Sequence, residues 1–333
     1  MNLDEAASRD AADGAQKLLA RVREGMARRL VGKPELVNGI LTAAVADGHV
    51  LMEGMPGLAK TLAVKTFAEL AGLTFRRIQF TPDLLPGDIT GSLFYDAPTG
   101  RFIPREGPVF TNVLLADEIN RAPAKVQSAL LEAMEERHVT IGERSLSLPW
   151  PFFVLATQNP IEHEGTFRLP EAQIDRFLVK VLADYPNAEE EAEIVRRTAD
   201  GTTVPIGPLL SIEDIKFLRS AVRAVRVEPD VLDYAVRIVR ASRPTDDSGI
   251  PQSLRELLRY VEYGASPRAS IYLYRCARVG ALFDGRGYAL PEDVKAAAPA
   301  VLRHRILPSY EAEAEGVTPD AIVRRLLSIV PVP

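Results

Sequence analysis

The chain has 333 residues, of which 47% are hydrophobic, 26% charged and 7% aromatic. These proportions exclude disorder over most of the chain, because that much apolar side chain can build a sizeable core. The 40 Lys and Arg against 45 Asp and Glu give a net charge of −5, so no overall basic field points to nucleic acid or an anionic membrane. The single cysteine, Cys276, excludes an intramolecular disulfide and a Cys-based metal site.

The N-terminal segment MNLDEAASRDAADGAQ is acidic and polar. It lacks the basic-then-apolar order of a signal peptide. No stretch of the chain approaches the roughly 18 consecutive apolar residues of a membrane span. We therefore expect a soluble, cytoplasmic protein.

Up to about Tyr185, short apolar runs alternate with helical patterns. Such alternation predicts a mostly parallel sheet whose strands are joined by right-handed crossovers. The strand candidates are His49–Glu53, Phe75–Phe80, Val113–Asp117 and Phe152–Thr157. Helices are predicted over Lys60–Ala71 and Ala124–Glu136.

Two segments interrupt this alternation. Ser92–Pro108 carries the turn sequence Ala97-Pro98-Thr99-Gly100 between short apolar runs, and His138–Leu148 alternates around Gly142. Both patterns are typical of β-hairpins.

Strand patterns end at Asp200–Pro208, a stretch rich in Gly, Thr and Pro that is the best linker candidate. A helix capped by Ser211 is expected to run through Val225. Further helices are predicted over Asp230–Ser242, Pro267–Phe283, Pro291–His304 and Pro319–Val330. Several have Pro in the first turn, where its missing N–H costs nothing. The second half is therefore expected to be all-helical.

A glycine-containing loop follows the first strand candidate and leads into a helix. Successive backbone N–H groups of such a loop can surround phosphate oxygens, and the helix N-terminus adds partial positive charge. Lys60 can reach the β- and γ-phosphates, and Thr61 can offer its hydroxyl to Mg²⁺. Ala59 departs from the usual pattern, which has glycine before the lysine. The predicted phosphate-binding residues are Gly54, Met55, Pro56, Gly57, Leu58, Ala59, Lys60, Thr61 and Leu62.

The strand candidate Val113–Asp117 ends in an acidic pair, Asp117 and Glu118. Mg²⁺ prefers oxygen ligands and keeps several waters, so Asp117 is expected to bind the ion directly or through a water. Glu118 is expected to polarise the water that attacks the γ-phosphate. A solvated turn is the alternative for the pair alone, but a preceding phosphate loop favours hydrolysis.

These residues resemble the motifs of the AAA+ ATPases, and more closely those of the MoxR family. Asp117–Ala122 is similar to that family's extended acidic motif, and GMPGLAKT to its phosphate loop, in which alanine before the lysine is usual. The resemblance covers nearly the whole chain from about Gln16, with the motifs in the family's order. It implies ATP and Mg²⁺ as cofactors.

The resemblance also implies the fold. We expect a P-loop AAA+ α/β core, with a parallel sheet flanked by helices, followed by a smaller all-helical lid domain. The expected boundaries are a flexible N-terminus at 1–15, the core at 16–199, a linker at 200–210 and the lid at 211–333. The hairpins would be insertions in the core near 92–108 and 138–148.

Further site residues follow from the resemblance alone. Asn159 would be the sensor 1 residue, Arg176 the arginine finger and Arg268 the sensor 2 residue that faces the γ-phosphate. The backbone of Val31 and Gly32 would line the adenine pocket. These residues lie in the segments Ala156–Pro160, Leu169–Phe177, Ser266–Ala269 and Val31–Gly32.

In the AAA+ fold Arg176 would lie too far from its own phosphate loop, so it would act on a neighbouring subunit. Arg121 is a second candidate for such a contact. A closed homo-oligomeric ring follows, which the resemblance puts at six subunits. A surface salt bridge is the alternative for Arg176.

The resemblance implies an ATPase that remodels, matures or activates a client protein like a chaperone, often with a partner bearing a von Willebrand factor A domain. The hairpins could push on the client through Phe94, Tyr95, Phe102 and Ile103, or could pack on their own domain. Two other functions stay open, a nucleotide-gated scaffold and a DNA motor. The intact Glu118 and Arg176 argue against the scaffold. The acidic balance and the lack of a recognisable DNA-binding appendage argue against the motor.

Overall fold

The computed structural model describes residues 3–55, 58–159, 166–167, 169–199, 205–245 and 249–333. The chain divides into two compact units. The first, here called the sheet unit, comprises Arg21–Phe177 and Val181–Glu213. The second, the helical unit, comprises Met1–Ala20, Leu178–Lys180 and Asp214–Pro333. Within the described ranges, no helix combines the length and apolar character that crossing a membrane requires.

The strands are β1 (Val50–Gly54), β2 (Phe75–Gln79), β3 (Gly91–Asp96), β4 (Arg101–Glu106), β5 (Val113–Asp117), β6 (His138–Ile141), β7 (Arg144–Ser147), β8 (Phe153–Gln158), β9 (Val179–Ala183), β10 (Val261–Tyr263) and β11 (Leu307–Pro308). The helices are α1 (Leu3–Ala27), α2 (Pro34–Val45), α3 (Lys60–Leu70), α4 (Pro86–Thr90), α5 (Ala124–Glu136), α6 (Glu171–Ile174), α7 (Ala188–Ala199), α8 (Ile212–Ala224), α9 (Pro229–Ala241), α10 (Gln252–Leu258), α11 (Pro267–Phe283), α12 (Pro291–Leu302), α13 (Tyr310–Glu315) and α14 (Pro319–Ile329). A 3-10 turn covers Ile119–Arg121.

The main sheet has five strands in the order β2-β5-β8-β1-β9. Its pairs β2–β5, β5–β8 and β1–β8 are parallel. The central strands are almost completely buried, as expected of strands covered on both faces, whereas edge strand β2 exposes most of its side chains. Parallel strands end at the same edge, so the phosphate loop, the acidic pair and Asn159 all leave the sheet there. The expected α/β fold class is confirmed.

Both predicted hairpins are present as antiparallel pairs, β3–β4 and β6–β7. Residues 97–100 form the turn of the first, and Gly142 lies in the turn of the second with φ +63°. The base of the first hairpin is crowded: a Cβ on Gly91 would lie 2.3 Å from the carbonyl oxygen of Arg105 and 2.9 Å from Ile141 of β6. The backbone therefore needs glycine there, and the two hairpins pack against each other.

The N-terminal segment differs from expectation, because residues 3–15 belong to helix α1. The physical reason is an apolar stripe at helical spacing, buried at Ala12, Ala15 and Leu19. Phe217 of α8 lies 3.4 Å from a Cβ placed on Gly14. The first part of α1 thus packs within the helical unit.

Part of the expected linker is also fixed in place. The N–H groups of Leu209 and Leu210 donate to the carbonyl oxygen of Leu70, at 2.7 and 3.0 Å, and Leu210 is buried. Buried backbone groups need such partners. Residues 205–210 therefore belong with the sheet unit, while 200–204 lie outside the described residues.

In the helical unit, side-chain caps set several helix starts. Ser266 and Thr318 accept hydrogen bonds from the N–H groups of Arg268 and Ala321, and each precedes a proline at the first helical position. The unit is not purely helical, since β10 and β11 form a short antiparallel pair. Strands of three and two residues are too short to show an alternating sequence pattern, so they were not predicted.

Candidate active site

The phosphate loop begins where β1 ends. A Cβ on Gly54 would lie 2.7 Å from Cβ of Ala183 on β9. Strand packing therefore requires glycine at this position. Pro56 and Gly57, two of the predicted loop residues, lie outside the described residues. Met55 is half-buried and Leu58 is buried.

Ala59 precedes helix α3 with φ +56° and ψ 22°, in the left-handed region. A Cβ costs about 1 kcal/mol in this conformation, which explains why glycine usually stands at this position. Beyond it, Thr61 is half-buried at the start of α3 and Leu62 is 40% exposed.

Lys60 opens helix α3 and is buried, with 9% of its surface exposed. Burial lowers the pKa of its ammonium group, while the charges of Asp117 and Glu118 act to raise that pKa. Its Nζ donates to the carbonyl oxygen of Gly54. A buried cation whose nearest hydrogen-bond acceptor is a neutral carbonyl is suited to binding an anion such as a triphosphate.

Asp117 ends β5 with both carboxylate oxygens engaged. Its Oδ1 accepts a hydrogen bond from Oγ1 of Thr157 at 2.7 Å. Its Oδ2 accepts from Nε and Nη2 of Arg77 at 3.1 and 2.6 Å. Arg77 lies on the neighbouring strand β2, so two different strands fix the orientation of this carboxylate.

Glu118 follows Asp117 with φ +58°, a left-handed backbone conformation that is uncommon for residues other than glycine. Its backbone N–H donates to Oγ1 of Thr157 at 2.8 Å. Its Oε2 accepts from Nε2 of Gln79 at 2.6 Å and from Nη1 of Arg121 at 3.0 Å. Arg121, expected as a candidate for contact with a neighbour, thus contacts the acidic pair of its own chain.

Thr157, Arg77 and Gln79 were missed as site residues by the sequence analysis. Thr157 is a fully buried polar residue that follows four apolar residues of β8, Phe153–Ala156. Arg77 and Gln79 stand two residues apart on β2 and therefore point to the same face. Polar residues at those positions, beside a strand that ends in two acids, are the feature that could have identified them.

The donor set at this edge fits a phosphate-bound Mg²⁺. Thr61 and Asp117, the predicted metal residues, supply a hydroxyl and a carboxylate, which are oxygen ligands of the kind that Mg²⁺ accepts. Over the described residues, no group of three or more His, Cys, Asp or Glu side chains could form an all-protein metal cage. An ion at this edge would depend on phosphate oxygens for further ligands.

A pocket of about 390 Å³ lies beside the predicted adenine segment. Gly32 lines it with φ +64°, in the left-handed region that favours glycine, and Val31 precedes that residue. A Cβ on Gly32 would also displace the carboxylate end of Glu190 on α7. The lining residues are Arg23, Ala27, Leu30, Gly32, Lys33, Pro34, Val37 and Asn38.

The remaining predicted residues occupy separate places. Asn159 follows β8 and is 6% exposed. Arg176 donates from Nη1 to the carbonyl oxygen of Leu131 at 2.8 Å and pairs with Glu135 at 2.9 Å, both on α5. Arg268 is the second residue of α11 in the helical unit.

Comparison with known proteins agrees with these features. The chain matches the family described as "ATPase family associated with various cellular activities (AAA)" over residues 49–179 and the "AAA lid domain" over residues 259–326. It is 49% identical over 307 residues to Chaperone MoxR1 of Mycobacterium tuberculosis, covering 92% of this chain and 80% of that protein. It is 33% identical over 328 residues to Protein MoxR of Methylorubrum extorquens, covering 94% and 95%.

A solved structure shows the same similarity across both units. The structure of a candidate ATPase from Cytophaga hutchinsonii has a TM-score of 0.91 and 41% identity, and the match covers 100% of each chain. The resemblance drawn from the motifs is thus confirmed over nearly the whole chain.

A substitution that removes the Thr157 hydroxyl tests whether this group positions the two acids. In Thr157→Val, the Glu118 N–H and one Asp117 oxygen lose their partner, at a cost of about 1–3 kcal/mol. We expect a lower melting temperature and at least about a tenfold loss of ATP turnover. Calorimetry and phosphate release measure the two effects.

Thr66→Val is the matched control. Thr66 is also fully buried, but its hydroxyl has no hydrogen-bond partner among the described residues. Removing it is expected to leave stability and turnover unchanged or slightly raised. Equal losses in both variants would contradict the role assigned to Thr157.

Proposed function

The chain belongs to the MoxR family of AAA+ ATPases, and we propose that it forms a ring that hydrolyses Mg-ATP to ADP and phosphate. The ring would use the energy of hydrolysis to remodel, mature or activate a client protein. The observation that carries this proposal is the placement of Lys60, Asp117 and Glu118. Burial lowers the pKa of the Lys60 ammonium group, and the charges of Asp117, at the end of β5, and of Glu118, which follows it, act to raise that pKa. That arrangement can bind a triphosphate and activate a water beside it.

Binding is assigned to the loop and the adenine pocket. The backbone of residues 54–61 and the Lys60 ammonium would hold the β- and γ-phosphates. The backbone at Val31 and Gly32 would hold the base. Thr61 and Asp117 would hold Mg²⁺, which supplies neutralisation of phosphate charge when bound.

Glu118 is assigned as the general base. Gln79 and Arg121 both donate hydrogen bonds to Oε2 of Glu118. Its other oxygen, Oε1, makes no hydrogen bond within the described part of the chain. One oxygen is therefore held while the other can accept a proton from the attacking water. Asn159 and Arg268 are assigned to the water and the γ-phosphate as sensors.

Arg176 is assigned to the active site of the neighbouring subunit. A guanidinium group there would stabilise the charge that develops on the transferred phosphoryl group. Its contacts with α5 leave 32% of the side chain exposed, so it can be reached by a neighbour. This assignment supports a closed ring, for which six subunits is the expected number.

The client is assigned to the first hairpin. Five large apolar side chains are between 45% and 67% exposed on β3 and β4. Tyr95 and Phe102 pair across the strands with ring centroids 5.3 Å apart. Exposed apolar groups of this kind mark protein-binding surfaces. The relative in Mycobacterium tuberculosis is named a chaperone, which supports a protein client. A von Willebrand factor A domain partner remains part of the proposal.

The first test separates binding from chemistry. Lys60→Ala is expected to impair nucleotide binding, because the phosphates lose their buried cation. Glu118→Gln is expected to bind ATP but to lose about 10²-fold or more in turnover, since the base is removed. Isothermal titration and steady-state phosphate release measure the two properties.

Lys65→Ala and Glu132→Gln are matched controls, because both residues are exposed and lie outside the site. Both should behave as wild type. If Glu118→Gln hydrolyses ATP as fast as wild type, hydrolysis by this acid is excluded, and a nucleotide-gated scaffold is favoured.

A second test concerns shared sites. Arg176→Ala and Lys60→Ala should each be inactive alone. Mixing them should restore part of the activity, because some interfaces then combine an intact phosphate loop with an intact finger. Phosphate release is measured against mixing ratio, with Lys60→Ala diluted by buffer as control. No recovery, in mixtures shown by light scattering to exchange subunits, would contradict the trans assignment.

A third test concerns the hairpin. Glu118→Gln should retain a client during purification, because ATP stays bound. Adding Phe102→Ser is expected to abolish that retention without changing basal turnover in the otherwise wild-type protein. Tyr310→Ser, which removes an 86% exposed aromatic side chain from the helical unit, is the matched control. Retention that survives Phe102→Ser but not Tyr310→Ser would move the client site to the helical unit.

A further inference from the structure

Helix α5 begins shortly after the acidic pair. The 3-10 turn Ile119–Arg121 follows Glu118 directly, and α5 starts at Ala124. Gln127, at the fourth position of this helix, is fully buried. Its amide group therefore lies in the interior of the sheet unit, where polar atoms are normally hydrogen-bonded.

The Gln127 amide holds two separate segments together. Its Nε2 donates to the carbonyl oxygens of Ala122 at 3.0 Å and Ile119 at 3.3 Å, at the turn after the acids. It also donates to the carbonyl oxygen of Phe167 at 3.2 Å. The N–H of Phe167 donates to the carbonyl oxygen of Asn120 at 2.6 Å. Phe167 is therefore held to the turn both directly and through Gln127.

The segment that carries Arg176 is held by the same helix. Residues 169–176, here called the finger segment, begin two positions after Phe167. Nε2 of Gln173, in this segment, donates to Oγ of Ser128 on α5 at 3.0 Å. The contacts of Arg176 described above are also with α5. Two glutamine amides thus tie the finger segment, and the chain just before it, to one helix.

Folding alone does not explain a glutamine at position 127. Its Oε1 is buried and has no hydrogen-bond partner among the described residues. An unpaired buried acceptor of this kind costs about 1–3 kcal/mol. A polar side chain kept at such a cost indicates a role for its NH₂ group beyond filling the core.

The two segments that Gln127 joins are not equally well held without it. Ile119 and Ala122 are fully buried, so their packing fixes the turn independently of the amide. Phe167, in contrast, has 43% of its surface exposed. Loss of the amide should therefore displace the chain that leads into the finger segment and leave the acids in place.

We propose that Gln127, together with Gln173, positions Arg176 for the active site of the neighbouring subunit. Gln127 fixes Phe167 to the turn after the acids, and Gln173 fixes the finger segment to α5. The finger that one subunit presents to its neighbour is thus set by contacts next to its own acidic pair. The inference rests on the proposed role of Arg176 in trans.

The test places Gln127→Met, which keeps the side-chain length and removes the donor, in one kind of subunit at a time. In mixtures of Lys60→Ala and Arg176→Ala subunits, each working site combines the phosphate loop of an Arg176→Ala subunit with the finger of a Lys60→Ala subunit. With Gln127→Met in the Lys60→Ala subunit, we expect phosphate release to fall at least about tenfold, because the finger is displaced. With Gln127→Met in the Arg176→Ala subunit, phosphate release should stay within about twofold of the parent mixture.

The placement that causes the loss decides the outcome. A loss confined to the Arg176→Ala subunit would show that Gln127 positions the acids of its own chain. Equal losses from both placements would show a general effect on folding. No loss from either would show that the amide is not needed. Each of these three results would overturn the proposal.

Gln173→Met supplies the answer if Gln127→Met does not fold. Gln173 is half-buried, so its substitution should leave folding intact. We expect a loss of about threefold or more, again only from the Lys60→Ala subunit, as for one lost hydrogen bond. Its absence would overturn the proposal. Gln252→Met is the matched control, because it removes an exposed amide that bonds Glu256 within α10, and it should leave both mixtures unchanged.

The parent mixture distinguishes failure of this inference from failure of the proposed function. If Lys60→Ala and Arg176→Ala subunits exchange but recover no activity, the trans assignment of Arg176 is wrong, and the positioning role is wrong with it. If the parent mixture recovers activity and the placement of Gln127→Met makes no difference, only the positioning role is wrong.

Discussion

One buried hydroxyl group, that of Thr157, ties the acidic pair to the sheet. It donates to the Asp117 carboxylate and accepts from the Glu118 backbone N–H. The group is fully buried, where an unmade hydrogen bond costs the whole desolvation penalty of its partner. It therefore fixes the end of β5 to the end of β8. Arg77 and Gln79 of β2 hold the side chains of the same two acids from the other side.

The charged side chains at this edge of the sheet fit the proposed binding of a triphosphate. Lys60, Arg77 and Arg121 bring three positive charges to the two negative charges of Asp117 and Glu118. Among these five side chains the excess is one positive charge. This positive charge would attract a polyanion such as a triphosphate. A hydrated metal ion could then bind through the phosphate oxygens.

The two hairpins illustrate a different constraint. The first hairpin carries five large apolar side chains of β3 and β4 into solvent, although most such side chains in a globular domain lie inside. In the second hairpin, Val139 and Ile141 are buried in the core of the sheet unit. Phe94 pairs with Ile103 and Tyr95 with Phe102 across β3 and β4, so the strands themselves organise the exposed surface. The first hairpin packs against the second where Gly91 of β3 lies close to Ile141 of β6.

The sequence by itself determined the parts that depend on local pattern. These patterns determine the local structure of only a few neighbouring residues. Examples are the buried run Val113–Ala116, the Lys-Thr pair at the start of α3, the turn at Gly142 and the prolines that open α11 and α14. Their strands, hairpins and helices were therefore predictable to within about two residues. The paired acids and the phosphate loop were predicted as site residues in the same way.

Only the tertiary structure decided which distant residues meet. Arg77 and Gln79 reach the acids because β2 pairs with β5, and Thr157 reaches them because β8 lies on the other side. The first part of α1 is helical because its stripe of small apolar residues packs against other parts of the fold. The polar composition of the N-terminal segment did not reveal this stripe. Long-range contacts of this kind depend on strand order and helix packing, and these are properties of the folded chain rather than of any short segment.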